Sequence, residues 1–306
     1  MDELKAFAGR RVFVTGVTGT LGGEFAAVAR QAGASVRAPS RHEGFDLRDR
    51  AKVSAEIAGF RPEFIFHFAA AGVSQAVNEA ELQAINVEGL EHLLAAAAAL
   101  PAPPRCLLLG TCAEYASSDD LHAEDDSLGP RNAYARSKVA AAEVAKRQAG
   151  SLPMLWLRMF NVYGAGEKLP RLLPYLVGCA RDGVAAEVTA GAQLLDYTSA
   201  RDAAAIFGRL GLSLPDQPGW QACNVGSGRA ITARQFMETV RASLRRHGLA
   251  LDLRFGAKAY REGDAMRCLP DLSRLRSSIG EPGARPSEIG LAEAIDRMLV
   301  GPSQSL

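Results

Sequence analysis

TGVTGTLG, residues 15–22, is the stretch on which the reading of this chain turns. It follows RVFVT (11–15), a short β-branched apolar run, and opens a segment of helical periodicity from about Leu21 to Gly33. Gly16, Gly19 and Gly22 therefore stand where a strand ends and a helix begins. Glycine there lets the backbone turn tightly and approach a pyrophosphate, while the helix start offers unpaired N–H groups and the positive end of its dipole. The spacing is GxxGxxG, not the GxGxxG of ordinary dinucleotide folds, and alone it could be only a flexible turn. Its place between strand and helix favours nucleotide binding, with Gly16, Gly19, Thr20, Leu21 and Gly22 as the expected cofactor contacts.

Outward from this turn the rhythm is βαβ. ASVRA (34–38), EFIFHFAA (63–70), RCLLLGT (105–111) and PMLWLRMF (153–160) read as strands, with long helices at about 80–100 and 132–149. These runs are short, apolar on both faces and separated by helices, as in a buried parallel sheet covered on both sides. The expected fold is α/β: a Rossmann-type doubly wound parallel sheet with a smaller C-terminal substrate-binding lobe. After about Gly164 the strand spacing loosens. Residues 1–163 are expected to form the dinucleotide-binding domain and 164–306 mainly the substrate lobe, with segments such as ACNV (222–225) returning to the sheet.

Bulk properties point to a small-molecule partner. The 35 basic and 34 acidic residues leave a formal charge of +1, so no overall field draws the chain to nucleic acid or to an acidic membrane. The longest apolar run, LLAAAAAL (93–100), is far too short for a bilayer span, and MDELKAFAGRR has no signal-peptide character. Five scattered cysteines without C-x-x-C or zinc-ligand spacing suggest a reducing cytoplasm and no metal site.

Two further features carry chemistry. At the end of the second strand, a carboxylate would accept a ribose 2′-hydroxyl and a cation would accommodate a 2′-phosphate. Ser40 and Arg41 occupy that place and the next acid is Glu43, which favours NADP(H) over NAD(H); the opposing reading is a solvated Arg41 with Glu43 reaching back. In YARSK, Tyr134 and Lys138 lie one turn apart on a helix face. An ammonium beside the phenol would lower a pKa of about 10 and create a workable acid/base. YxxxK alone is a weak signal; the dinucleotide turn upstream strengthens it.

TGVTGTLG, DL (Asp46, Leu47), HFAAAG (67–72), INVEG (85–89), GTCAEY (110–115), YARSK and RMFNVYG (158–164) follow one another in an order that resembles the extended short-chain dehydrogenase/reductase family, nucleotide-sugar epimerase/dehydratase branch. NVGSG (224–228) and REGD (261–264) extend the resemblance into the C-terminal lobe. It implies that Asp46 and Leu47 lie by the adenine, that Ala69, Ala70 and Ala71 line the cofactor strand, and that Asn86 supports the active-site helix. Tyr134 would be the acid/base, Thr111 would hydrogen-bond the reacting oxygen, and Lys138 would also bind the nicotinamide ribose. Thr111, Cys112, Ala113, Asn161 and Arg261 are the substrate contacts it implies, Arg261 suiting phosphate oxygens. The blander readings are a strand-end turn for Asn161 and a surface cation for Arg261.

Departures from the family pattern narrow the function. Cys112 and Ala113 replace the acidic pair of family dehydratases, so loss of water from the sugar is disfavoured. Leu195 stands where many relatives carry a phosphate-binding Arg, and Ala165 replaces the usual Pro. Cys112 has no His in its local motif and reads as a small buried thiol. The leading expectation is an NADP(H)-dependent reductase of a keto group, at C4, of a nucleotide-diphosphate sugar. An NAD-dependent 4-epimerase is the alternative, and a non-catalytic dinucleotide-binding protein a third. The Ala-rich stretch at 92–99 and the helix of Tyr134 could form a homodimer interface or simply pack on the sheet.

Overall fold

The structure, a computed structural model, describes residues 2–72, 77–261 and 264–300. Strand β1 (Arg11–Thr15) leads into helix α1 (Thr20–Gln31) and then β2 (Ser35–Arg37). Next come α2 (Arg50–Phe60), β3 (Phe64–His67), α3 (Glu79–Leu82) and α4 (Gly89–Ala98). They are followed by β4 (Arg105–Thr111), α5 (Ala133–Arg147) and β5 (Pro153–Met159). The second half runs β6 (Asn161–Tyr163), α6 (Leu172–Asp182), β7 (Ala186–Val188), β8 (Leu194–Ser199), α7 (Ala200–Ser213) and β9 (Gly219–Val225). It ends with β10 (Ala230–Thr232), α8 (Ala233–Arg245), β11 (Leu253–Phe255), β12 (Arg267–Cys268), α9 (Ser273–Ile279) and α10 (Ser287–Val300).

Six strands form one sheet in the order β2-β1-β3-β4-β5-β9, and every neighbouring pair is parallel. The chain moves outward from β1 to β2, then resumes on the other side with β3. That reversal is a topological switch point, and ligands bind beyond the carboxyl ends of the strands at such a place. Alternation along each strand fills two cores. Val12, Val14, Phe64 and Phe66 face α1 and α7, whereas Phe13, Ile65, Leu108 and Trp156 face α2, α4 and α5.

ACNV belongs to β9, which pairs in register with β5 from Pro153↔Gly219 to Met159↔Val225. A four-stranded sheet beside the main one has β8 at its centre, with β6, β10 and β12 against it. A third core joins Leu176 of α6, Phe236 and Val240 of α8, and Leu291 and Ile295 of α10.

Two elements differ from expectation. The helix expected at 80–100 is divided: α3 passes into a π-helical turn at Gln83–Glu88 before α4 begins. Such wide turns are rare and occur at functional sites; this one buries the Asn86 side chain, whose partners are described below. Helix α2 had no clear signal, because it buries only Val53 and Ile57. On α4, Leu90, Leu93, Leu94, Ala96 and Ala97 are buried in the chain's own core. No described helix is long and apolar enough to cross a membrane.

Candidate active site

The glycine turn closes as its positions require. Gly16 has φ of +75°, and a Cβ there would lie 2.5 Å from the Ala69 nitrogen; a Cβ on Gly22 would run into the Gly16 carbonyl. Only glycine lets β1, the turn and the segment after β3 approach so closely. Helix α1 starts at Thr20 with Gly19 as its N-cap and no side-chain cap, so its first N–H groups remain available. Leu21 turns inward to the core, while Thr20 is half-buried at the mouth. An uncapped helix start at the switch point, with backbone packed tightly behind it, fits a dinucleotide diphosphate. Gly16→Ala should abolish dinucleotide binding, since a left-handed backbone costs about 1–2 kcal/mol for a residue with a Cβ, before the collision with Ala69 is counted. Titration of the variant by nucleotide fluorescence reads this directly; wild-type affinity would refute it.

The segment after β3 is stapled on both sides. Thr15 Oγ1 meets His67 Nδ1 at 2.8 Å and accepts from Ala69 N at 3.3 Å. Burial and the nearby Lys138 charge push the His67 pKa down to about 3, so its ring is neutral. Asn86 Oδ1 accepts from Ala71 N (2.7 Å), and Asn86 Nδ2 donates to Ala71 O (3.2 Å) and Ser137 Oγ (2.9 Å). Ser137 Oγ donates in turn to the Tyr134 carbonyl at 2.7 Å. Asn86 thus joins the Ala69, Ala70 and Ala71 segment to α5, and the π-helical turn delivers it.

At the end of β2, Ser40 precedes a 3₁₀ turn at Arg41–Glu43. Arg41 is exposed and its charge reaches the Asp46 carboxylate. Glu43 does reach back: its Oε2 accepts from Ser40 N at 2.9 Å and lies 3.9 Å from Arg37 Nη1. An acid therefore stands at the strand end that the bare sequence left without one. Asp46 is gripped by Arg48, with 2.5 Å from Nη2 to Oδ2, and this hydrogen bonding holds its pKa down at about 2. The Leu47 side chain is buried in the core against Gly89, and its carbonyl meets His92 Nδ1 at 2.9 Å.

Thr111 ends β4, and Tyr134 and Lys138 lie on the first turns of α5, which Asn132 caps by accepting from Ala135 N. Lys138 is buried, and its ammonium donates to the Leu109 carbonyl at 2.8 Å. Burial lowers its pKa to about 8, so it is charged at neutral pH. The phenol of Tyr134 departs from the expectation. Burial pushes its pKa up, the Glu114 carboxylate and Cys112 push it further, and Arg171 is the cation that opposes them. The lysine is turned to β4, and desolvation outweighs the lowering that helix spacing implied.

Glu114 was not anticipated. Wholly buried, it accepts from Thr111 N (2.8 Å), Trp156 Nε1 (3.1 Å) and Arg158 Nε (2.8 Å). Arg158 Nη1 continues to Tyr115 Oη (3.0 Å) and the Glu124 carbonyl (2.7 Å), and Tyr115 Oη donates to Asn224 Oδ1 at 2.6 Å. This network underlies the end of β4. Its sequence signal was an acid three residues after Thr111 and a basic residue inside an apolar strand. Arg171, the N-cap of α6, donates to Glu167 Oε1 and the Val162 carbonyl; no sequence pattern pointed to it.

On the substrate side, Asn161 opens β6, and its side-chain Nδ2 is buried without a hydrogen-bond partner. A buried amide donor without a partner is costly unless a ligand oxygen meets it. Ala113 N donates to Thr111 Oγ1 at 3.2 Å. Cys112 is half-buried and sits against Cys268, not fully enclosed as its sequence context suggested. Leu195, on β8, pairs with Cys268 and carries no charge to this wall. Arg261 is exposed, its N–H held by Asp264 Oδ2 at 3.0 Å, and the structure does not bring it to Asn161 by any direct contact. By contrast, Asn86 ties the segment after β3 to α5, and Lys138 of α5 reaches Leu109 of β4, the strand that Thr111 ends.

Comparison with known proteins agrees with this fold. The profile of the NAD dependent epimerase/dehydratase family matches residues 12–226. A dTDP-6-deoxy-L-talose 4-dehydrogenase (NAD(P)(+)) of Kitasatospora kifunensis is 33% identical over 248 residues, covering 74% of this chain and 77% of that protein. A candidate epimerase of Burkholderia cenocepacia J2315 superposes with a TM-score of 0.82 at 28% identity, covering 96% of this chain and 100% of its own. MoeE5, solved with UDP-glucose and NAD, gives 0.79 at 25% identity over 94% of this chain and 98% of that one.

Proposed function

We propose that this chain, which belongs to the NAD dependent epimerase/dehydratase family, is an NADP(H)-linked reductase of a keto group, at C4, of a nucleotide-linked sugar. The observation that carries the reading is how α5 meets the end of β4: the charged Lys138 ammonium donates to the Leu109 carbonyl of β4, and Cys112 and Glu114, which follow Thr111, act on the Tyr134 phenol. NADPH, when bound, supplies hydride to the carbonyl carbon. Thr111 and Tyr134 bind the carbonyl oxygen and stabilise the negative charge that develops there. Burial keeps Tyr134 protonated at neutral pH, the state a proton donor needs in reduction. Lys138 holds a positive charge behind the site, and Asn86 keeps α5 and the Ala71 segment in register. Asn161 offers its free amide hydrogen to the substrate's diphosphate, and Arg261 is a second phosphate contact from the exposed segment.

The Kitasatospora relative is by name a 4-dehydrogenase using NAD(P)(+), which supports chemistry at the same carbon. Cys112 and Ala113 supply neither acid nor base for expelling water, so a simple reduction accounts for the residues present. Purified protein mixed with NADPH and a panel of 4-keto nucleotide sugars should consume the nucleotide. No consumption with any member of the panel would overturn the reading.

A second reading, an NAD-dependent 4-epimerase, is favoured by one observation: Glu43 bends back to the end of β2. Nucleotide release decides between them. Tightly held NAD identifies the epimerase, and empty protein that oxidises added NADPH identifies the reductase. On the reductase reading, Arg41→Ala should reduce the preference for NADPH over NADH by roughly two- to fivefold, the scale of an exposed ion pair. The ratio of kcat/KM for the two nucleotides measures it, and an unchanged ratio would remove Arg41 from cofactor choice.

A further inference from the structure

We propose that Cys112 and Cys268 form a hydroperoxide-responsive dithiol that closes into a disulfide between the end of β4 and strand β12. The two are remote in sequence but belong to one small apolar cluster with Tyr115, Phe160 and Leu195. Cys112 follows Thr111 directly and is half-buried, so the pair opens to a small oxidant on its side; Cys268, which ends β12 in register with Leu195, is buried but not fully enclosed, at 8% exposure. Cys112 packs against the cluster that holds Cys268, and His122 joins the same cluster through its stack on Tyr115.

His122 is fixed at that place from several sides. Its ring stacks on Tyr115 at 4.7 Å, and its Nδ1 lies 4.0 Å from Asp126 Oδ2. Its backbone N–H donates to the Leu269 carbonyl and its own carbonyl accepts from Asp271 N, both at 2.8 Å. The segment that carries Cys268 is therefore clamped to the imidazole beside it. The Cys112 S–H, then His122, stabilise a thiolate on Cys268, while Cys112 itself is pushed up. One sulfur is the nucleophile and the other the resolving thiol, the asymmetry on which sulfenate chemistry depends. Cys106 and Cys223 lack such a neighbour, and burial pushes both thiols up.

The reaction balances with a hydroperoxide as oxidant. The Cys268 thiolate attacks one peroxide oxygen; an S–O bond forms, the O–O bond breaks, and the departing oxygen leaves as water or alcohol after taking a proton. Cys112 sulfur then attacks Cys268 sulfur; the S–S bond forms, the S–O bond breaks, and hydroxide leaves as water with the proton from Cys112. Two thiols are oxidised and one peroxide is reduced. The product tethers the residue next to Thr111 to the sheet of the substrate lobe, and turnover should be lost until a thiol reductant restores it.

Intact-mass and peptide mapping after hydrogen peroxide treatment test this on the wild-type chain. The expected result is loss of two hydrogen atoms, disappearance of two of the five thiols, and one cross-linked peptide pair containing Cys112 and Cys268, all reversed by dithiothreitol. In Cys112→Ser, dimedone should trap a sulfenic acid on Cys268. Oxygen addition to these cysteines in the wild type without a cross-link would overturn the proposal, as would a cross-link through Cys106, Cys179 or Cys223, or no reaction. The mapping stands whether or not the reductase reading does, so failure of one is distinguishable from failure of the other.

Discussion

Tyr134→Phe is expected to lower turnover by about 10²–10⁴-fold, the usual contribution of a positioned proton donor, while NADPH binding stays within about twofold. The substitution keeps the ring and removes only the hydroxyl. Thr111 remains to bind the carbonyl and Lys138 to hold its charge behind the site, but the phenol that would hand over the proton is gone. The glycine turn and the start of α1, the proposed seat of the diphosphate, lie outside the change. Stopped-flow reduction of a keto-sugar, with a separate NADPH titration, separates the two effects. Near-normal turnover in the variant would remove the mechanism proposed for this site.

The second large effect concerns stability. Glu114→Ala should lower the free energy of unfolding by about 3–5 kcal/mol, the cost of breaking a buried ion pair by removing one partner. Arg158 would keep its charge in a site where only 4% of its side chain is exposed, and its Nε would lose its 2.8 Å acceptor. Trp156 Nε1 and Thr111 N would lose theirs as well. Urea denaturation of wild type, Glu114→Ala and Glu114→Gln gives the comparison; Gln keeps an acceptor and should fall between the other two. A loss below about 1 kcal/mol for Ala would show that the network relaxes or admits water.

Much of the fold was readable because its signals are local. A β-branched run, a glycine turn and a helix periodicity followed one another over residues 11–33, and β4 begins and ends where RCLLLGT was expected to. Helix α2 was missed because its two buried residues give almost no periodicity. The π-helical turn was missed because nothing in one-dimensional spacing distinguishes it from a straight helix. Within the site, helix spacing placed Tyr134 and Lys138 together but could not show where the ammonium points; the Leu109 carbonyl decides that. Burial then reverses the direction of the phenol's shift. Glu43 shows the same limit, since a three-residue turn folds back an acid that the linear order places beyond the strand. The Cys112–Cys268 contact lies further still from local inference, because only tertiary packing brings the two together.

The placement of β9 bears on how the protein is made. A ribosome that has delivered the chain through β5 has released a sheet that still lacks its outermost strand, β9, and a Phe68 ring without the Phe207 ring that will pack on it. At about 5–20 residues per second, several seconds pass before that last strand emerges. During that interval the nascent chain presents a bare ladder of amide groups and an oily face to its surroundings, so shielding by a cellular chaperone matters most between the synthesis of Met159 and that of Val225.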